Sequence, residues 1–176
     1  MPITDQESKL LDTALHWTWS CLRQIERLGE STLKEWSASE EPTIERRKRS
    51  STTSYDEHLV LVSSRHLIKV LEMAKSSFPQ LNTDVNQGAV IVHLRNMYEH
   101  WDEHQALSLS AEVPNSRARM TNRTREAVEG MNGKPWSISY GPEGPVLGGV
   151  ISLREFVSDL ELIEAELLKL ETELRS

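Results

Sequence analysis

Leucine recurs every seventh residue near the end of the chain, at Leu153, Leu160, Leu167 and Leu174, and Phe156, Ile163 and Leu170 fill the intermediate positions of the same repeat. Spacings of three and four put all seven side chains on one stripe of an α-helix; a strand, whose side chains alternate every second residue, cannot gather them. Ser152 with Glu155 reads as a capping box at the start of this helix. A stripe of this kind is buried against other helices. The expected setting is a helical bundle packed in the 3-4 manner, with an intermolecular zipper as the alternative.

Helical spacing also dominates the first half of the chain. Thr4 and Glu7 form a second candidate capping box, followed by Leu11, Leu15, Thr18, Leu22 and Ile25, with Gly29 placed to stop the helix. A second helix is expected to begin near Tyr55 or Asp56 and to run through Leu59, Val62, His66, Val70 and Met73. Phe78 and Pro79 end it, because proline cannot continue a helix. Asp84 is a plausible N-cap for a third helix that fades after Leu107.

The remaining segments are polar or turn-rich. Mobile polar loops are expected near 30–54, which holds Arg46, Arg47, Lys48 and Arg49, and near 108–132, which holds Arg117, Arg119, Arg123 and Arg125. WSISY, GPEGP and VLGGVISL have the alternation and turn residues of a small β-hairpin. The fold class that follows is all-α, an antiparallel bundle of about four main helices with a small β-hairpin before the C-terminal helix. With 176 residues, the chain fits one domain over 1–176.

Composition limits the chemistry. Cys21 is the single cysteine, which excludes an intrachain disulfide and a multi-cysteine zinc site, suits a reducing compartment, and marks Cys21 as a small buried hydrophobe. MPITDQESKLLDT lacks a basic region followed by an apolar run, and about 18 consecutive apolar residues occur nowhere, so neither a signal peptide nor a membrane span is predicted and a cytoplasmic protein is expected. The net charge of −7 argues against nonspecific coating of nucleic acid, although local basic patches can override an average. There is no glycine-rich phosphate loop, GxSxG elbow or HExxH, and no cofactor is expected. The five tryptophans suit a small core better than a base-stacking platform.

Three of the six histidines, His93, His100 and His104, fall within HLRNMYEHWDEH. At about 100° per residue, Val90, Ile91, Leu94, Met97, Tyr98 and Trp101 form one face of the third helix, and His93, Asn96, His100, Glu103 and His104 form a neighbouring stripe. Arg95, Glu99 and Asp102 take the remaining side. Two chemistries suit the histidine stripe. One is metal binding by His100 and His104 at i and i+4, with a third ligand from His58 or His66. The other is metal-independent cleavage of RNA, in which histidine handles the protons and arginine the phosphate charge. His93 and His104 also read as hydrogen-bonded surface or interface residues.

Arg95, Asn96 and, four residues further on, His100 resemble the signature of HEPN domains, an all-α superfamily containing many RNases of toxin and antiphage systems. The resemblance covers this motif and the bundle architecture. It implies that Arg95 would contact the scissile phosphate, His100 would act in proton transfer and Asn96 would orient the pair. Two copies of the motif would meet across a homodimer interface, answering the separation of about 140° between Arg95 and His100 on one ideal helix. Arg117, Arg119, Arg123 and Arg125 are the candidates for guiding RNA, and an antitoxin or other regulatory protein is an expected partner. Toxins of this superfamily silenced by a nucleotidyltransferase often carry tyrosine two residues after the histidine; here that position is Asp102. A non-catalytic helical dimerisation module and a metal-binding bundle are the alternatives.

Overall fold

The computed structural model describes residues 4–37, 43–99, 138–141 and 144–175. These form four helices, α1 (Asp5–Ser37), α2 (Thr43–Ser77), α3 (Gly88–Glu99) and α4 (Leu153–Arg175), and three strands, β1 (Ile138–Gly141), β2 (Gly144–Leu147) and β3 (Ile151–Ser152). The protein is all-α with a small antiparallel sheet before its last helix, as its periodicity predicts.

The first helix opens as its sequence requires. Thr4 N–H donates to Glu7 Oε2 (2.9 Å) and Glu7 N–H to Thr4 Oγ1 (3.2 Å), satisfying two donors that a helix start otherwise leaves orphaned. The bond from the Thr4 hydroxyl, then that from its backbone, holds the Glu7 carboxyl below the ordinary carboxylate range.

Gly29 does not stop α1, which continues to Ser37. Leu28 and Thr32 are both buried, so the packed face carries on through the glycine, and the left-handed conformation that would end the helix is not used there. Nor does α2 wait for Tyr55. It starts at Thr43, so the expected loop over 30–54 is helical on both sides of 38–42, which lie outside the described residues, as does the segment 108–132. The polar stretch TIERRKRSS contains good helix formers, and α2 gains tertiary support early: Thr53, Asp56 and Glu57 are buried, and Arg27 reaches across from α1 to Asp56 (3.0 Å).

Cross-helix pairs set the directions. Trp17 meets His66, Cys21 meets Ser64 and Arg27 meets Asp56, so α1 and α2 form a long antiparallel hairpin. The buried stripe of α2 is Val60, Ser64, Leu67, Leu71 and Ala74, while His66 and Met73 are exposed. Packing against both α1 and α3 gives α2 apolar residues on more than one side, and its periodicity alone does not single out the buried one. Phe78 and Pro79 end α2 as expected.

Asp84 is not the cap of α3. Its carboxylate pairs with Lys75 at the end of α2 (3.1 Å), and Gln87 takes the cap position, its carbonyl accepting from Ile91 N–H (3.0 Å). The side chains around this start tie it to the last helix. Asn86 donates to both oxygens of the buried Asp159, through its backbone N–H (3.0 Å) and its side-chain amide (2.8 Å). The Gln87 carboxamide accepts from Ser152 N–H (2.9 Å) and donates to the Ser152 carbonyl (3.2 Å), extending the sheet edge by one pseudo-strand residue. The Ser152–Glu155 box is therefore half formed: Glu155 N–H donates to Ser152 Oγ (3.2 Å), but Ser152 N–H is already occupied. Because both helices begin here, the antiparallel alternation runs through α1, α2 and α3, and α4 starts beside α3.

The expected hairpin gains a third strand, in the order β1-β2-β3, because VLGGVIS turns back on itself. Gly148 and Gly149 take positive φ (61° and 71°), a region that side chains avoid, and Val150 N–H donates to the Leu147 carbonyl (3.2 Å). Leu147 and Ile151 enter the core with Leu153, Phe156, Leu160, Ile163, Leu167 and Leu170, the leucine repeat of α4, whose Leu174 packs at the margin.

Candidate functional site

The chain between Pro79 and Gly88 folds α3 back against α2, since the proline ends one helix and the clamp at Asn86 and Gln87 fixes where the next begins. Of the predicted apolar face of α3, Ile91 and Leu94 are buried and Val90 partly so, while the side chains of Met97, Tyr98 and Trp101 lie outside those described. His93 and Asn96, predicted to share a stripe, both line a groove of about 710 Å³ between α2 and α3. Its volume lies within the usual range of small-molecule sites.

The groove is polarised along its length. Antiparallel packing puts Arg65 of α2 at the end lined by His93 and Asn96, and Lys75 at the other end beside Asp84. Ten helical residues separate Arg65 from Lys75, roughly 15 Å. Ile68, Val85 and Val92 contribute an aliphatic floor between them. Gly88 lies close enough to Ile68 that a Cβ there would sit 3.6 Å from its Cδ1, ordinary contact, so the glycine opens the floor without being required by it. Lys75 is neutralised by its bridge to Asp84. Arg65 makes no hydrogen bond or ion pair among the described residues.

Of the predicted catalytic residues, the structure describes two. Arg95 is half-buried in the last turns of α3, and its Nη1 donates to Asn96 Oδ1 (3.3 Å). Asn96 therefore touches the arginine on one side and borders the groove on the other. His100 lies outside the described residues, as do His104, Arg117, Arg119, Arg123 and Arg125. Among the described residues no three His, Cys, Asp or Glu side chains converge as a metal-ligand set, and the ring of His66 is stacked flat on Trp17 with centroids 4.6 Å apart. Also among them, no helix is long and apolar enough to cross a membrane.

Sequence reasoning overlooked Arg65 and Glu72. The available signal was their stripe, Arg65, Ile68, Glu72 and Lys75 at spacings of three, four and three, which faces Val85 in the connection and Ala89, Val92 and Asn96 on the next helix. Two such mixed stripes define a groove only once the helices are known to be neighbours. Trp17 packs against the core, whereas Trp19 is 49% exposed and donates to Glu164 of α4. No protein-family model, curated protein or solved structure matches the chain.

Proposed function

We propose that the protein is a HEPN-like helical protein that acts on RNA, a metal-independent endoribonuclease of the toxin or antiphage-defence kind, working in the cytoplasm as a homodimer. The observation that carries this reading is the contact of Asn96 with Arg95, the polar residue of the motif holding the guanidinium that the resemblance assigns to the phosphate. The all-α fold, with Arg95 and Asn96 of the motif in the second half of α3, agrees with it.

In the proposed reaction the 2′-hydroxyl oxygen attacks the adjacent phosphorus, its proton passing to a general base, and the bond to the 5′-oxygen breaks as that oxygen takes up a proton. The products are a 2′,3′-cyclic phosphate and a 5′-hydroxyl. Arg95 stabilises the charge growing on the phosphate oxygens, and His100 serves a proton step. The partner subunit's motif supplies the facing groups, and Arg117, Arg119, Arg123 and Arg125 guide the strand. No cofactor takes part.

The test is RNA degradation by purified protein in excess EDTA. Wild type is expected to cleave, and His100→Ala and Arg95→Ala to lose at least a hundredfold in rate while keeping the wild-type circular dichroism, as removal of a general acid-base or charge-stabilising group does. Intact RNA after incubation with folded, dimeric wild type overturns the reading. Activity that EDTA abolishes, with bound metal by elemental analysis, supports the metal-binding alternative at His100 and His104 instead.

A non-catalytic interaction module is the second reading, favoured by exposed apolar side chains. Trp19 and Leu168, the latter one helical turn beyond the Trp19 partner Glu164, are 49% and 40% exposed. That reading expects no cleavage, and self-association that Trp19→Asp weakens in analytical ultracentrifugation.

A further inference from the structure

The groove between α2 and α3 has, among the described residues, a cation without a counter-charge at one end, an aliphatic floor, and a carboxylate near the other end. Arg65 supplies the cation and Glu72 the carboxylate; neither side chain makes a hydrogen bond or ion pair among the described residues, while Lys75 and Asp84 satisfy each other. A ligand matching this order has an anionic group at one end, a flat apolar body, and N–H donors at the far end. A nucleotide has all three in that sequence. Its phosphate meets the guanidinium, its base lies over aliphatic side chains, and its ring or exocyclic N–H groups face a carboxylate acceptor.

We infer that this groove is a nucleotide subsite, holding one unit of a single-stranded RNA with its phosphate at Arg65 and Asn96 and its base over Ile68, Ala89 and Val92. This rests on the proposed action on RNA and adds a seat for the strand outside the reacting bond. Asn96 links the two places. Its Oδ1 accepts from Arg95, and its side chain borders the groove, so a strand whose phosphate reaches Arg65 passes directly beside the arginine assigned to the scissile phosphate. A net charge of −7 is no obstacle, because the contact is a local one at a single exposed end of the groove.

The experiment measures binding of a fluorescent 2′-O-methyl oligoribonucleotide by anisotropy over a range of salt. The methylated 2′-oxygen removes the nucleophile, so binding is read apart from cleavage. Arg65→Ala is expected to weaken binding about tenfold, the loss of one charge-assisted hydrogen bond. It should also reduce the slope of log K against log salt by roughly 0.7, the value for one phosphate contact on a single strand. Ala89→Trp, at an exposed helical position, fills the groove and should weaken binding by a similar factor without changing the slope. Arg23→Ala removes a cation from the exposed surface of α1 and should leave both quantities as in wild type.

Wild-type affinity in Arg65→Ala or Ala89→Trp, or equal losses in Arg65→Ala and Arg23→Ala, overturns the subsite. If wild type cleaves RNA but the groove variants bind normally, the ribonuclease reading stands and the subsite falls. If the groove variants lose binding as expected but wild type leaves RNA intact, the subsite stands and the ribonuclease reading falls.

Discussion

Cys21 faces the α2 side of α1, fully buried, its Sγ 3.9 Å from Ser64 Oγ. Burial pushes its thiol from the ordinary 9.0 up to about 12, with the Ser64 contact opposing that shift. A thiolate is the reactive form, so the side chain acts as a packing group. The native protein is expected to resist a thiol reagent such as DTNB at pH 8 and to react stoichiometrically in denaturing urea; labelling of the native state at the rate of a free thiol would contradict this assignment. The linkage has a definite sign. Because the folded value lies above the unfolded one, the stabilising contribution of the protonated thiol is complete below about pH 9 and fades as pH rises toward 12. Glu7 has the opposite sign at the other end of the scale: its depressed carboxyl supports the cap of α1 above the unfolded carboxylate value and loses that support as pH falls through the folded one. The burial of Cys21 was legible from residue type alone. Its polar neighbour Ser64, which bonds back to the Val60 carbonyl, was not, since it depends on which face of α2 turns toward α1.

At the scale of elements, the boundaries that departed from expectation share one cause. Propensity and charge describe an isolated segment, whereas α1 and α2 are supported past the expected boundaries by the Arg27–Asp56 pair and the burial of Leu28, Thr32 and Thr53. Gly29 is the clearest case. It sits inside a helix, between the buried Leu28 and Thr32, with nothing within 4 Å of where a Cβ would lie. Gly29→Ala should therefore stabilise the fold, by about 0.5–1 kcal/mol, since it restricts the unfolded chain and meets no clash in the helix. Had Gly29 ended the helix in a left-handed turn, the same change would destabilise by more than that, so the sign of the shift in urea midpoint tests the continuity of α1 directly. The strongly periodic elements were legible because their stripes follow a single period. The leucine repeat of α4, the cap at Thr4, and the stop at Phe78 and Pro79 all stand where the spacing put them. The second turn of the sheet was marked by Gly148 and Gly149, but a Gly-Gly pair inside an apolar run reads equally as a bulge.

For the whole molecule, what positions the candidate site is the junction where α3 and α4 begin. Residues 73 positions apart meet there in the Asn86–Asp159 pair, and the Gln87–Ser152 pair joins them. No local pattern announces such a contact, and Asp84 competed for the cap with a better local preference. This is also why the groove was invisible in the sequence, although His93 and Asn96 were correctly grouped on one stripe: its opposite wall depends on how the junction swings α3 against α2. The junction should be energetically unequal on its two sides. Asp159→Ala removes the acceptor for both the backbone and the side-chain donor of Asn86, leaving a part-buried N–H unsatisfied, and should cost about 2 kcal/mol. Asn86→Ala leaves the backbone bond in place and should cost about 1 kcal/mol. The double variant should then cost less than the sum, because the side-chain bond is lost only once. Urea unfolding of the three variants measures these differences. Additive losses, or an Asp159→Ala variant within about 0.5 kcal/mol of wild type, would mean that α3 is positioned by its apolar face alone. In that event the orientation of Asn96 toward the groove would owe nothing to α4, and Asp159→Ala would leave RNA affinity unchanged. If the junction positions the helix, RNA affinity and stability should fall together in that variant.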